Sequence, residues 1–318
     1  MEDFKIDMVY LWVDSNDEKW KEKKNKFLNN SKNYDAEAVC DGRFEQIDEL
    51  KYSLRSLEKY ANWINHIYII TDEQAPKWLN LNNDRITIVD HKDIFDNSKL
   101  PTFNSMAIET QIANIKGLSE YFLYANDDFF FYKKTGKKFF FNKKKMPICR
   151  FISKFKNQRF VGQYGLNVKY THDLMSQKFN KYVPYFTHHC IDSYTKTNIL
   201  SCIADFRDEY ERTSKMRFRE FNALERTGYS YWAVMSGKGV FKKIPKRCTF
   251  DYLLGVIGIT RFDSMVFANT KKGIDKKLKI FKPHIFCIND GEQCQKEDRA
   301  RAKSILEKIY PKKSSFEI

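Results

Sequence analysis

The sequence predicts an α/β fold: a mostly parallel sheet with helices on both faces, followed by a helical C-terminal portion. Two observations carry this. Short apolar runs recur through the first third of the chain, at IDMVYLWV (6–13), HIYIIT (66–71), RITIVD (85–90) and YFLYANDD (121–128), each parted from the next by text with helical signals. They read as buried strands, and buried strands joined by helices assemble into parallel sheets covered on both sides.

The elements follow in order. Residues 6–13 are β-branched and aromatic, and a polar helix is expected from about Ser15. Ile47, Leu50, Leu54 and Leu57 recur at helical spacing. After the run at 66–71, Pro76 is expected to open a short helix, and 85–90 is the next strand. A helix is predicted over about 104–116, with Pro101 blocking it upstream and Asn104 or Ser105 as its cap. From Phe129 to about Gly165 the short aromatic and basic runs predict antiparallel strands or loops on the sheet edge. The region from Ile191 to about Val234 reads as helical, and 296–310 as a terminal helix ended by Pro311.

With 318 residues, 42% of them apolar, the chain can form a substantial core. Its longest apolar stretch, 252–259, is far short of the roughly 20 residues of a membrane-spanning helix. The opening MEDFKIDMVY lacks the basic and long apolar regions of a signal peptide, so a cytoplasmic location is expected. Seven scattered cysteines with no CxxC spacing read as reduced thiols, neither a disulfide framework nor a zinc knuckle. The net charge of +15 points to an anionic partner, although lysine runs such as FNKKKMP read as solvated loops. No nucleic-acid-binding motif accompanies the charge.

Ligands of such sheets bind at the carboxyl ends of the strands. That rule gathers Asp14 and Asp17, then Thr71 and Asp72, then Asn126, Asp127 and Asp128. Two adjacent carboxylates can hold a divalent cation that in turn grips a diphosphate, but an Asp-Asp pair alone is more often an ordinary turn. In LPTFNSMAIET (100–110), the free N–H groups of the helix start suit a phosphate. Glu109 stands four residues after Ser105, one step outside a capping box, so the cap does not account for it. His188 and His189 in YFTHHCID offer imidazole as a proton acceptor. Arg217 and Arg219 share a face only on extended backbone, and one of them is expected to be a surface charge. In IFCINDGEQ, Asn289 and Asp290 end a second apolar run before Gly291.

These blocks together resemble a known family. IDMVYLWVDSND, RFEQIDELKYSLRSLEKYANWINHIYIITDEQAPKWLN, LPTFNSMAIET and YANDD are similar to the first two conserved regions of the Stealth family. THHCID through RFRE looks like its third region and FCINDG like its fourth. Its members are hexose-1-phosphate transferases of bacterial capsule synthesis and include the animal N-acetylglucosamine-1-phosphotransferase. The resemblance implies a GT-A-like, Rossmann-type fold and a Mg²⁺ or Mn²⁺ ion. It also implies a nucleoside-diphosphate sugar donor such as UDP-GlcNAc, and a glycan acceptor.

By position, Glu109, Asp128, His189, Arg219 and Asp290 are the implied active-site residues. Asp128 and Asp290, with Asp127, would hold the metal; Arg219 and Arg43 would balance phosphoryl charge. His189 would be the general base, with Glu109 assisting it or orienting the donor sugar, and His188 and Arg217 as rivals of their neighbours. Asp14, Asn104, Ser105 and Asn126 would line the donor pocket. The whole chain is expected to be one catalytic domain, with 1–135 binding the nucleotide sugar and a mainly helical 136–318 completing the acceptor side. Peripheral association with the inner face of a membrane is a secondary expectation. A glycosyltransferase releasing nucleoside diphosphate is the nearest alternative function, and a basic nucleic-acid-binding protein a more distant one.

Overall fold

A computed structural model describes residues 4–28, 47–155, 160, 162–244, 253–254, 257, 262–290 and 294–318. Arg43, Gly291 and the cysteines at 40 and 248 lie outside the described residues. The central sheet has five strands in the order β3-β2-β1-β4-β8: β1 is Ile6–Leu11, β2 Ile67–Thr71, β3 Ile86–Asp90, β4 Tyr121–Asn126 and β8 Asp192–Thr195. The first four run parallel and β8 runs antiparallel against β4. This is the α/β architecture read from the sequence.

Side-chain alternation along the strands feeds two cores. Val9, Tyr68, Ile70, Phe122 and Tyr124 enter one, against the helices Lys196–Asp205 and Thr227–Met235. Met8, Tyr10, Ile67, Ile69, Leu123 and Ala125 enter the other, where Leu50, Leu54 and Leu57 of the helix Glu49–Tyr60 meet them. The sheet is thus covered on both faces. Asp7 in β1 is fully buried, yet it is satisfied: its carboxylate accepts from Asn65 Nδ2 and from the Ser119 backbone N–H, both at 2.7 Å.

Two smaller sheets flank this one. β10 (Ser264–Ala268), β11 (Ile285–Asn289) and β5 (Phe129–Phe131) form the first. β7 (Tyr185–Thr187), β6 (Ile148–Lys154) and β9 (Val240–Lys243) form the second. The second core takes residues from both sides of position 135, including Phe140, Cys190, Ile285 and Phe316. The described cysteines are buried thiols, and among the described residues no helix is long and apolar enough to cross a membrane.

Several elements differ from the sequence reading. Pro76 opens no helix; the segment after it turns and then bridges Leu79 to Glu317. The helix expected over 104–116 is only Ser105–Glu109, followed by the 3₁₀ turn Ile112–Asn114. Thr110 ends it, its hydroxyl donating to the Ala107 carbonyl at 2.6 Å and so competing with the backbone ladder. A helix already begins at Gly162 (Gly162–Phe179). The region 191–234 opens with β8, then holds the helices Lys196–Asp205 and Arg207–Ser214, a non-helical stretch through 215–226, and the start of Thr227–Met235. The second half therefore carries strands as well as the expected helices; runs as short as β7 and β8 leave no period to read.

Candidate active site

The order of the central sheet reverses beside β1: β2 and β3 lie on one side, and β4 is added on the other. Such a switch point leaves a crevice at the carboxyl ends of the strands. Asp127 and Asp128 make the turn that leaves β4 at that place. Beyond it the chain changes sheets, because β5 pairs with β11 (Phe129 opposite Cys287). The turn is fixed from both sides. Ile288 N–H donates to the Asp128 carbonyl at 3.3 Å, and the hydroxyl of Ser53 donates to the Phe129 carbonyl at 2.6 Å.

Asp128 and Glu109 each have one oxygen held and one left. Asp128 Oδ2 accepts from the Cys287 thiol at 3.0 Å, while Oδ1 is cut off from water and has no hydrogen-bond partner. Burial, then the charge of Asp127, pushes the Asp128 carboxyl up to about 7. Glu109 Oε1 accepts from the Tyr124 hydroxyl at 2.8 Å, and Oε2 is buried without a partner. Burial raises the Glu109 carboxyl, against the opposing pull of Arg226. Glu49, at the start of its helix, is pushed up to about 8 by burial and by Asp127. Glu225 reaches about 7 through burial and the charge of Glu109.

One buried guanidinium ties these groups together. Arg226 pairs with Asp192 and donates to His189 Nδ1 at 3.0 Å. Its Nε lies 3.8 Å from both Glu109 Oε1 and Glu225 Oε1. His189 also packs its ring 4.8 Å from that of Phe129. Burial and then Arg226 hold its pKa well below the ordinary value. Asp128, His189 and Cys287 each offer one ligand-capable atom, all within 4.8 Å of one another.

The two rival pairs from the sequence separate cleanly. His188 is in the electrostatic reach of Arg150 and Asp263, with its backbone N–H on the Arg150 carbonyl at 2.8 Å; burial, then Arg150, lowers it to about 3. Only His189 meets Arg226 and Asp128. Arg217 is exposed and lies over the Phe27 ring at 4.8 Å. Arg219 is half-buried, donates to Ser105 Oγ at 2.8 Å, and its charge acts on Glu109 and Glu225.

The remaining sequence candidates are more dispersed. Asn104 is fully buried as the cap of Ser105–Glu109: Oδ1 accepts from Met106 N–H at 3.1 Å, and Nδ2 donates to the Phe218 carbonyl at 3.2 Å. Its amide is engaged within the fold. Asn126 Oδ1 accepts from Tyr124 at 3.3 Å, at the edge of the cluster. Asp14 is half-buried, and its Oδ1 accepts from Asn16 N–H at 2.9 Å. Asp290 is engaged by Arg299 Nε at 2.7 Å and is outside the Asp128 cluster, where Cys287 from the middle of β11 stands instead.

Arg226, Glu225, Asp192, Tyr124, Cys287 and Glu49 were not singled out from the sequence. One signal for the first two was present. A Glu-Arg doublet directly precedes TGYSYWAVM, a helix so apolar that all of Thr227–Met235 except Val234 is buried. Charges at the mouth of such a helix are drawn inside with it.

The model of Stealth protein conserved region 1 matches residues 4–32, and that of conserved region 2 matches 43–149. A capsular polysaccharide phosphotransferase of Haemophilus influenzae is 33% identical over 300 residues, covering 90% of this chain and 78% of its own. An exopolysaccharide phosphotransferase of Streptomyces coelicolor is 32% identical over 99% of this chain and 52% of its own. The capsular polysaccharide phosphotransferase SacB of Neisseria meningitidis serogroup A is 30% identical over 99% of this chain and 57% of its own. The chain thus spans about half the length of the Streptomyces and Neisseria relatives. Among solved structures, a galactosyltransferase (LgtC) in complex with donor and acceptor sugar analogs aligns over 98% of this chain and 97% of its own. At 8% identity and a TM-score of 0.47, that likeness is too distant to transfer a role to any residue. Identity of this order over most of the Haemophilus protein, with two family regions matched in order across the strands that build the site, places the chain in the Stealth family.

Proposed function

We propose that the chain transfers a sugar 1-phosphate, an N-acetylhexosamine 1-phosphate in our reading, from a nucleoside-diphosphate sugar to a hydroxyl of a glycan. The product is a phosphodiester in a capsular or cell-surface polysaccharide, and nucleoside monophosphate leaves. The observation that carries this is the gathering of Asp128, Glu109, His189 and Arg226 at the sheet's switch point, in a chain related to polysaccharide phosphotransferases.

The residues fit a divalent cation. Asp128 presents a buried oxygen with no partner, and besides burial the charge of Asp127 raises the proton affinity of Asp128 while Asp127 and Asp128 raise that of Glu49, as carboxylates do when a positive charge is owed to them. Oxygen donors of this type suit Mg²⁺ or Mn²⁺. Asp128, with Asp127, would hold the ion. Such an ion supplies charge neutralisation on the diphosphate and a template for its orientation.

The chain's own groups account for the rest. Arg219, poised between Ser105 and the Glu109–Glu225 pair, supplies a planar donor to a phosphoryl oxygen. Glu109 and His189, on either side of Arg226, face the acceptor hydroxyl and the phosphoryl group it attacks, and Glu109 takes the hydroxyl proton. Burial keeps water from competing with the acceptor.

The test is to incubate the protein with Mg²⁺, a panel of nucleotide sugars and a capsular oligosaccharide, and to weigh the nucleotide released. Monophosphate with a new phosphodiester in the glycan is expected. Release of nucleoside diphosphate would make the chain a glycosyltransferase and overturn the proposal.

A further inference from the structure

A neutral imidazole carries one hydrogen, on one nitrogen or the other. In His189 the choice is made by a neighbour. Arg226 Nη2 lies 3.0 Å from Nδ1, and a guanidinium nitrogen donates but does not accept. Nδ1 must therefore present its lone pair. A doubly protonated ring would face N–H with N–H and cation with cation across the same contact. The single hydrogen belongs on Nε2.

Arg226 has little freedom to turn away. Asp192 pairs with its Nη1, Glu109 and Glu225 flank its Nε at 3.8 Å, and its plane lies over the Tyr124 ring at 5.5 Å. A group held on four sides imposes its geometry on a fifth. With one nitrogen occupied and the other protonated, His189 offers a lone pair to neither a metal ion nor a hydroxyl proton.

We propose that Arg226 is a positioning residue that fixes His189 as the Nε2–H tautomer, so that His189 acts as a hydrogen-bond donor to the transferred phosphoryl group, and Glu109 takes the acceptor's proton. This rests on the phosphotransfer reading above. The acceptor oxygen forms a bond to the phosphorus that bears the sugar, and the bond from that phosphorus to the bridging oxygen breaks. The nucleoside monophosphate leaves with the electron pair. The hydroxyl proton passes to Glu109 Oε2, the buried oxygen that has no other partner. His189 Nε2–H meets a non-bridging oxygen of the same phosphoryl group, where charge builds in the transition state.

Two measurements test it. In the resting protein labelled with ¹⁵N-histidine, two-bond proton–nitrogen correlation spectra report the tautomer, and the His189 signals are those lost in His189→Gln. The expected result is a protonated Nε2 and bare Nδ1, shifting to a mixture in Arg226→Met. An Nδ1–H ring or a mixture in the unmodified protein overturns the proposal. In turnover, His189→Gln keeps an amide N–H near the Nε2 position but cannot take a proton at neutral pH. It should retain kcat within about tenfold of the parent, while His189→Ala loses about 10²–10³-fold. A Gln variant as inactive as the Ala variant assigns His189 as the base and overturns the donor role. The spectra need no nucleotide sugar, so they decide the tautomer even if the parent protein turns over none of the panel, which would count against the phosphotransfer reading alone.

Discussion

At the scale of single residues, the site is organised by division of labour within each side chain. Asp128, Glu109 and His189 each have one polar atom held by Cys287, Tyr124 or Arg226, and that contact sets the direction of the other. The two arginines of RFRE show how sharply position decides role. Arg217 Cζ rests over Phe27 at the surface, whereas Arg219 reaches Ser105 and the buried acids. Arg217→Ala is therefore expected to keep kcat within about twofold, as surface substitutions do. Arg219→Lys keeps the charge but loses the fork, and should lose about 10²-fold or more in kcat, as removal of one transition-state donor does. Steady-state kinetics of the two purified variants, with thermal melts to confirm folding, provide the check. Equal losses in both would mean that the extended stretch, rather than the Arg219 side chain, is what matters.

At the scale of elements, Arg226 is placed by a close helix contact. The helix Thr227–Met235 begins one residue after it and packs on Gly162–Phe179. The contact is close because Gly228 has no side chain: a Cβ there would lie 3.0 Å from Thr171 Cγ2 and 3.1 Å from Met175 Cε. Gly228→Val adds two more carbons, so the helix must move off its neighbour and carry Glu225 and Arg226 with it. A loss of about 1–3 kcal/mol in chemical denaturation is expected, together with a fall in kcat larger than unfolding at the assay temperature explains. Gly136→Ala, where an added Cβ meets nothing within 4 Å, is the control and should change neither. The same contact shows what the sequence could and could not disclose. β1 through β4, and the acidic turn after β4, were legible because buried parallel strands are apolar throughout and their ends are abrupt. Glu109, His189 and Arg219 stood out through the blocks that contain them. Arg226 and Cys287 did not, because they join the cluster through partners 37 and 159 residues away, and no local period records such a pairing. Asn104 is ambiguous for the opposite reason: a cap, which it is here, and a ligand-binding amide look identical in a sequence.

At the scale of the whole molecule, the buried acids fall into two groups that respond oppositely to pH. Burial works to raise Glu317 and Asp263, but the hydrogen bond from Arg55 to the first and the charge of Arg150 beside the second hold both below the usual carboxylate range. Their contribution is present above their unfolded pKa of roughly 4 and is lost as pH falls through the lowered folded values. Glu49, Asp128 and Glu225 are pushed the other way, to about 8, about 7 and about 7. An acid with a raised folded pKa binds its proton more tightly when folded, so its contribution is fully present below roughly pH 4 and disappears as pH rises through about 7–8. These three acids therefore pull the Tm of the cation-free protein down between pH 6 and pH 8, against the opposite pull of His188, His189 and His284, whose lowered folded values leave the unfolded chain to give up their protons over the same interval. A divalent cation at Asp128 competes with those protons and binds only the folded state, so it should raise Tm more at pH 8 than at pH 6. Asp128→Asn removes one of the repelling charges. It should raise Tm at pH 8 relative to pH 6 compared with the parent, lose most of the Mg²⁺ response and lose turnover, while folding as well as the parent. Melting scans in EDTA and in MgCl₂ at both pH values read all of this at once. A Mg²⁺ shift of equal size at the two pH values, or one that survives in Asp128→Asn, would mean that the ion binds elsewhere and that the acidic turn after β4 serves the fold rather than the diphosphate.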